Sequence, residues 1–526
     1  MSAIGYQCLV LHAHLPFVRH PEYEESLEER WLFDALTECY LPLLSVIDGW
    51  RRDGLGFGLT LSLTPTLLAM LRDDLLMGRY RRHLDRLVDL AHREVTRTRL
   101  MPEFNNLARH YLERFEACRR NLDERWGGDP AGAFAAIARE GQLELLGGPA
   151  THPFLPLFLH EPESIRAQLR IGLAETERQL GIRPPGLWSP ECGWAPGLDI
   201  FMRTAGIGYT FVDAHGLIAA WPPQPGVHAP VRTPAGMVIF GRDPETSRQV
   251  WNARIGYPGD PAYREFYRDI GHDLDREWLG ELLPGGVRAN TGIKYHRVTG
   301  PVGLGDKAIY DSNAVVGRTA AHAEHFVNSR AEQAKKLGRD MDRPPLIVSP
   351  YDAELFGHWW YEGPMFLDAA MRRLCAPDSP IVPVTPTAYL RRHGIASVAQ
   401  PAFSSWGEGG YAQIWLNEMT EWIYPRLDAA ARSMRTLAAR EDLDALAQRA
   451  LTQMGRELLL AQASDWPFLI RIGSAPHYAR QRLEEHLGSI ERLAQQIKAN
   501  AVDEPWLADL ESRHNIFPKL DYKAFA

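Results

Sequence analysis

The sequence predicts an α/β fold with barrel-like closure, followed by a helical C-terminal region, and three observations carry that prediction. Short apolar runs alternate with longer stretches of helical periodicity, the pattern of a parallel sheet covered by helices. Each run gives way at its C-terminal end to a polar residue, where barrels and open α/β sheets alike collect their function. From about residue 417 the strands cease and long helical runs take over.

The first apolar run, residues 6–11, ends at His12-Ala13-His14-Leu15-Pro16. Residues 57–63 alternate as a strand before Thr64-Pro65, and residues 142–146 lead into Gly147-Gly148-Pro149-Ala150-Thr151-His152-Pro153. Further runs at 209–212, 238–240 and 346–348 end at Asp213, at Gly241-Arg242-Asp243 and at Ser349-Pro350-Tyr351-Asp352. Helical patterns fill the intervals at 31–50, 67–98, 104–126 and 164–180, the last with Ile165, Leu169, Leu173 and Leu180 on one face. A polar helical stretch at 318–337 carries His322 and His325 on its surface. The Gly-rich span 284–305 reads as a long surface or active-site loop, and its glycines make a poor phosphate fingerprint. Helical runs at 417–440, 442–464 and 478–500 then form a bundle, and no internal repeat or low-complexity tract interrupts the chain.

At 526 residues the chain exceeds a single ordinary core, so two or three packed units are expected. A formal net charge of -8 leaves no broad basic field for a polyphosphate, and no nucleic acid partner is expected. The N-terminal residues lack a secretory pattern and no later segment is apolar for the length a bilayer requires. No membrane association is expected, therefore, and the expected location is cytoplasmic. Five cysteines without CxxC spacing point to reduced, mostly buried thiols rather than a disulfide framework or a zinc cluster.

Two acidic segments carry the candidate chemistry. In Gly186-Leu187-Trp188-Ser189-Pro190-Glu191-Cys192-Gly193-Trp194 a single carboxylate lies between tryptophans, with no basic residue in the motif. That suits presentation of an acid to a sugar; capping of a following helix is the plainer reading. In Ser349-Pro350-Tyr351-Asp352-Ala353-Glu354, followed by Phe356, Trp359 and Trp360, carboxylates again sit among aromatics after a strand. Retaining glycosidic cleavage needs one ionised carboxylate to attack the anomeric carbon and one protonated acid for the leaving oxygen, roughly 5 to 5.5 Å apart. An acid crowded by aromatics loses hydration and keeps its proton near neutral pH, and Asp352 or Glu354 suits that part. Solvated loop acids or a salt-bridged pair are the alternative. His12 and His14 have the spacing of a metal pair, so a divalent-metal hydrolase using them with His152, Asp213 and Asp352 is a rival reading.

The residues resemble glycoside hydrolase family 57, and within it the α-1,4-glucan branching enzymes. The resemblance runs through the His12 and Glu191 motifs, Gly141-Gln142-Leu143-Glu144-Leu145-Leu146-Gly147, the Asp352 motif, and Phe403-Ser404-Ser405-Trp406-Gly407-Glu408-Gly409. It implies an incomplete (β/α)7 barrel over residues 1–400 with a small helical insertion at roughly 67–130, and a helical domain over 401–526 that closes on the cleft. It also implies retention without metal or cofactor. Glu191 corresponds to the family's nucleophile and Asp352 to its acid/base, with His12, His14 and His152 around the cleaved sugar. Trp31, Trp278, Trp406 and Trp415 correspond to stacking residues along the glucan, and Asp465 to a polar contact from the C-terminal domain. The resemblance further implies a mobile loop whose tyrosine shields the intermediate. Its counterpart is read at 241–260, where Tyr257 is the only tyrosine and is either the lid residue or part of a structural turn.

The expected activity is cleavage of an α-1,4 bond and transfer of the donor to a 6-hydroxyl of an α-1,4-glucan, by a monomer or small homo-oligomer. An α-amylase or 4-α-glucanotransferase keeps the chemistry and changes the acceptor; a metal-dependent deacetylase-like hydrolase and a non-catalytic glucan-binding protein are the rivals from other classes.

Overall fold

The structure, a computed structural model, describes residues 3–252, 255–283, 286–395 and 397–526. Among the described residues nine strands organise it: β1 (Gly5–Ala13), β2 (Leu59–Leu63), β3 (Leu143–Leu146), β4 (Tyr209–Val212), β5 (Val231–Arg232), β6 (Val238–Gly241), β7 (Leu346–Asp352), β8 (Ile381–Pro383) and β9 (Ser397–Val398). β1 is central, parallel to β7 on one side and to β2 and β8 on the other, and β2 pairs with β3. Single parallel bridges, Gly147 with Leu187 and Gly186 with Tyr209, carry the sheet from β3 through residues 186–187 to β4, which pairs with β6. The Asp243 amide then donates to the Val348 carbonyl at 2.8 Å, linking the end of β6 to β7. Around the ring this gives seven strand positions among the described residues, that of residues 186–187 held by isolated bridges and β6 tied to β7 by a single bond, which is an incomplete α/β barrel.

Period-two alternation sorts the strand residues between two cores. Tyr6, Cys8 and Val10 of β1 meet Leu146, Phe211, Phe240, Leu346 and Val348 inside the barrel, while Leu9, Leu11 and Ala13 face the surrounding helices. The sequence places His12 and Asp352 just past their strands. Both in fact lie within them, because β1 and β7 stay paired up to His12 and Asp352, which are in register.

The helical span expected at 67–98 is two helices, Pro65–Leu71 and Asp74–Arg97, because Asp73 caps the second by accepting from the Leu76 amide at 3.0 Å. The span expected at 31–50 is a helix with a π-helical turn at Leu36–Tyr40. His322 and His325 do not merely decorate their helix, Ala314–Leu337: their rings bond the hydroxyls of Tyr263 at 2.7 Å and Tyr257 at 2.8 Å. In the Gly-rich span, residues 284 and 285 lie outside the described residues; 286–305 contains no helix longer than one turn and buries Ile293 and Tyr295.

After residue 420 come helices Ile423–Ala438, Ala445–Ala461, Asp465–Ile472, Pro476–Lys498 and Glu504–Arg513. Buried Glu457 ties three segments of this bundle together, at 2.6 Å from His486 Nδ1 and 2.8 Å from His514 Nδ1. None of the described helices is long and apolar enough to cross a membrane.

Candidate active site

Inward-facing rows on adjacent strands deliver the first side chains. His12 continues the Tyr6, Cys8, Val10 row of β1 and Asp352 continues the Leu346, Val348 row of β7, so both emerge together at the C-terminal mouth of the barrel. Glu191 arrives from the loop after residues 186–187. Its backbone is left-handed, φ 63° and ψ 22°, as is that of Cys192 at φ 50°. Such conformations cost non-glycine residues of order 1–3 kcal/mol each and cluster where function needs them. The loop is pinned to hold this one: Ser189 Oγ donates to the Gly193 carbonyl at 2.6 Å, the Gly193 amide to Pro190 at 2.8 Å, and the Trp406 amide to the Glu191 carbonyl at 2.9 Å.

The Glu191 carboxylate has a donor on each oxygen. Trp406 Nε1 donates to Oε2 at 2.9 Å and Ser464 Oγ to Oε1 at 2.9 Å. Behind Ser464 lies His152, with Nδ1 2.9 Å from the hydroxyl; His152 Nε2 is 2.9 Å from His12 Nε2, and His12 Nδ1 is 3.3 Å from Ser62 Oγ. An ionised carboxylate only accepts, and that fixes every proton in the row. Ser464 gives its proton to Glu191 and accepts from His152 Nδ1–H; His152 Nε2 accepts from His12 Nε2–H; His12 Nδ1 accepts from Ser62. Burial, then the neighbouring His14, pushes the pKa of His12 and His152 well down, so both rings stay neutral.

His14 stacks on His152 with centroids 3.7 Å apart, and its two nitrogens meet Thr64 Oγ1 at 3.0 Å and Asp465 Oδ2 at 3.1 Å. Ligand atoms of His14, His152 and Asp465 lie within 4.8 Å of one another. Both ring nitrogens of His152 are already engaged, however, so an ion bound there would have to displace His12 or Ser464 from it.

Asp352 is in a different environment. It accepts no hydrogen bond among the described residues; burial, then Glu354, then Glu191 push its pKa well up, against Arg242. Burial also raises Glu191, but there the hydrogen bonds from Trp406 and Ser464 favour the charged form. The mouth therefore pairs a carboxylate supplied with donors and a carboxyl deprived of them, which is how two acids in one site take opposite protonation states. Glu354, the other acid of the Asp352 motif, is occupied by the Tyr40 hydroxyl and by the His14 amide at 3.2 Å.

Glu191, Asp352, His12, His14, His152, Trp406 and Asp465 thus come together. The other expected residues do not join them. Trp415 is 1% exposed, stacked on Phe154 at 4.2 Å, so neither face is open to a sugar. Trp278 is half-buried, with its Nε1 donating to Glu94 at 2.6 Å. Trp31, half-buried, packs edge-on against Tyr478 at 5.7 Å. Trp188 and Trp194 are buried too, and Trp188 backs His12, stacked at 4.7 Å, rather than facing a ligand. Tyr257 is not a lid tip: it is 8% exposed, stands in a one-turn helix, and packs against His322 and Phe366. In that span, residues 244–251 form a helix, and 253 and 254 lie outside the described residues. Sequence reasoning missed Ser464 and Arg242 as site residues, although both lie in segments it had singled out. Arg242 pairs with Asp213 at 3.0 Å and lies 5.3 Å from the Trp406 ring.

The model of glycosyl hydrolase family 57 matches residues 8–310. The chain belongs to that family. Residues 426–525 of this family 57 chain also match the model of the 1,4-alpha-glucan branching enzyme C-terminal region. It is similar to a 1,4-alpha-glucan branching enzyme of Thermococcus kodakarensis, 30% identical across 98% of this chain and 77% of the relative. Among solved structures it resembles the alpha-amylase AmyC of Thermotoga maritima, with 39% identity, TM-score 0.93 and 99% of each chain covered. It also resembles a family 57 branching enzyme of Pyrococcus horikoshii, with 30% identity, TM-score 0.89, and 99% and 97% covered.

Proposed function

We propose that this chain is a 1,4-α-glucan branching enzyme working by retaining double displacement, with Glu191 as nucleophile and Asp352 as acid/base. The observation that carries the roles is the contrast between the two carboxyls at one barrel mouth, Glu191 with two donors and Asp352 with none among the described residues. Glu191 attacks the anomeric carbon, the bond from that carbon to O4 breaks, and Asp352 gives its proton to O4. The Asp352 carboxylate then takes the proton of an acceptor 6-hydroxyl, whose oxygen displaces Glu191 and closes the α-1,6 bond. His12, His14, His152 and Asp465 surround the sugar at the cleavage point, and Trp406 orients the nucleophile. The barrel, taken as residues 1–400 with an insertion near 67–130, and the helical region 401–526 act as one catalytic unit, since both donors to Glu191 come from beyond residue 400. The product is a glycogen-type branched glucan. A cytoplasmic setting agrees with five cysteines that are all unpaired.

A second reading has its own support: the Thermotoga maritima relative at 39% identity is described as an alpha-amylase, and hydrolysis differs only in that water replaces the acceptor. Incubation with amylose decides between them, with reducing ends and α-1,6 linkages counted in the same sample and Glu191→Gln as the inactive control. Branches in excess of reducing ends are expected; reducing ends without branches would make the chain a hydrolase.

A further inference from the structure

A cavity of about 610 Å³ opens between the helices Pro162–Leu180 and Leu198–Thr204 and the one-turn helix Tyr522–Phe525. Two of its walls come from the starts of strand positions: residues 183–184 precede the one at 186–187, and residues 204–207 precede β4. The reacting groups gather at the opposite, C-terminal ends of the strands. The cavity is therefore a place apart, with no task in the chemistry above.

Helical periodicity builds the third wall. Residues 166, 169, 170, 173, 174 and 177 recur at intervals of three and four, so they share one face of the helix Pro162–Leu180. The other face packs on the barrel: Gln168 accepts from the Thr151 amide at 3.0 Å, and Gly172 has no room for a Cβ beside the Gly148 carbonyl. The floor of the cavity is apolar, formed by Leu169, Leu173, Pro184, Phe201 and Ile207, and Ile200 at its edge is 59% exposed. The rim is cationic. Arg166 lies 5.5 Å from the Phe201 ring centroid and 3.1 Å from Glu163, and Arg170 reaches Asp521 only at 4.0 Å. Arg183 has neither a hydrogen bond nor an ion pair among the described residues. Lys523 gives its ammonium to the carbonyls of Ala438 and Arg440 at 2.9 and 3.1 Å, and Glu177 is the single carboxylate side chain lining the cavity.

Exposed arginines alone are solvated and recognise nothing. Set around an apolar floor they select a molecule that brings hydrocarbon to the floor and negative charge to the rim. The volume falls within the roughly 300–1,000 Å³ of small-molecule sites.

We propose that this cavity binds a small anionic amphiphile, a free medium-chain carboxylate, with its chain over Leu169, Leu173, Phe201 and Ile207 and its head among Arg166, Arg170 and Arg183. The test is calorimetric titration of the full chain with dodecanoate below its micelle concentration, with 1-dodecanol and acetate as controls. Dodecanoate is expected to bind, acetate not, and dodecanol roughly tenfold more weakly than dodecanoate, since each exposed ion pair adds little but three act together. Arg170→Gln combined with Arg183→Gln should remove most of the preference for dodecanoate over dodecanol. Ala174→Trp, at an exposed position on the cavity face, should fill the space and abolish binding while leaving thermal unfolding in place. A further measurement needs no variant: in native protein dodecanoate should slow phenylglyoxal modification of Arg170 and Arg183, read by peptide mass spectrometry, and maltoheptaose should not. Equal binding of dodecanol and dodecanoate, binding that survives Ala174→Trp, or arginine modification unaffected by dodecanoate overturns the proposal. So does a doubled mass in solution that closes the cavity to dodecanoate, which would make this face a contact between copies. Attachment to phosphatidylglycerol vesicles without binding of free dodecanoate also overturns it, in favour of a lipid surface.

Discussion

Ser464 Oγ donates to Glu191 Oε1 at 2.9 Å, so a hydroxyl from the helical region holds a carboxylate presented by the barrel. Trp406, also beyond residue 400, holds the other oxygen. Residues beyond 400 are thus part of the nucleophile's own environment and not merely a wall of the cleft.

Ser464→Ala removes the last donor of the row that begins at Ser62. A hydrogen bond to a charged group contributes about 1.5–3 kcal/mol, so kcat should fall roughly ten- to a hundredfold. The sign of the pH effect is also fixed. Ser464 favours the charged form of Glu191, so its loss raises the Glu191 pKa, and the acidic limb of the kcat/KM profile should move to higher pH. A uniform loss without displacement of that limb would mean that Ser464 only supports the fold.

Asp352→Ala separates the two carboxyls. An aryl leaving group needs little protonation, whereas a sugar O4 leaves poorly without it. The variant should retain much more activity on an aryl maltoside than on amylose, and azide should rescue the second half of the reaction as a nucleophile needing no general base. Equal losses on both donors would remove Asp352 from the acid/base role. Glu191→Gln, by contrast, should abolish turnover on both.

How much of this was legible in the sequence depends on the kind of link. His12 and Asp352 were readable as strand-end residues because local patterning sets the strands, and their inward direction follows from parity once β1 and β7 are paired. Choosing Asp352 over Glu354 was not possible from the motif, since the difference lies in Tyr40 and the His14 amide, which reach Glu354 from other segments. The aromatic residues fared worst. Trp415 and Trp406 look alike in sequence, nine residues apart in one loop, yet one is stacked under Phe154 and the other bonds Glu191. Exposure of a tryptophan is decided by what packs on it, and that partner is usually far away in the chain. The left-handed backbone at Glu191 was likewise hidden, because nothing local marks a glutamate for φ 63°.

Activity should survive exhaustive EDTA treatment. The row from Ser62 to Glu191 uses both nitrogens of His12 and of His152, and the two carboxyls supply the nucleophile and the proton that the reaction requires. Added zinc should inhibit, by competing for His14 and Asp465. Loss of activity on chelation and its return with zinc would favour the metal-hydrolase reading.

The basic limb of the pH profile tests the electrostatic argument most directly. Asp352 must be protonated to act, and after burial the largest cause holding its proton on is Glu354, with Arg242 opposing. Glu354→Gln keeps an oxygen to accept from the Tyr40 hydroxyl and the His14 amide but removes the negative charge. Asp352 then ionises at lower pH, and the basic limb should move down. Arg242→Gln removes the opposing positive charge, so there the limb should move up. The acidic limb, set by Glu191, should barely respond to Glu354→Gln, because the charge of Glu354 is not among the main influences on Glu191. Opposite displacements from two neutralising substitutions cannot come from a general loosening of the site, which would lower activity at every pH alike. Displacement of both limbs in the same direction would mean that Asp352 is not the group titrating on the basic side.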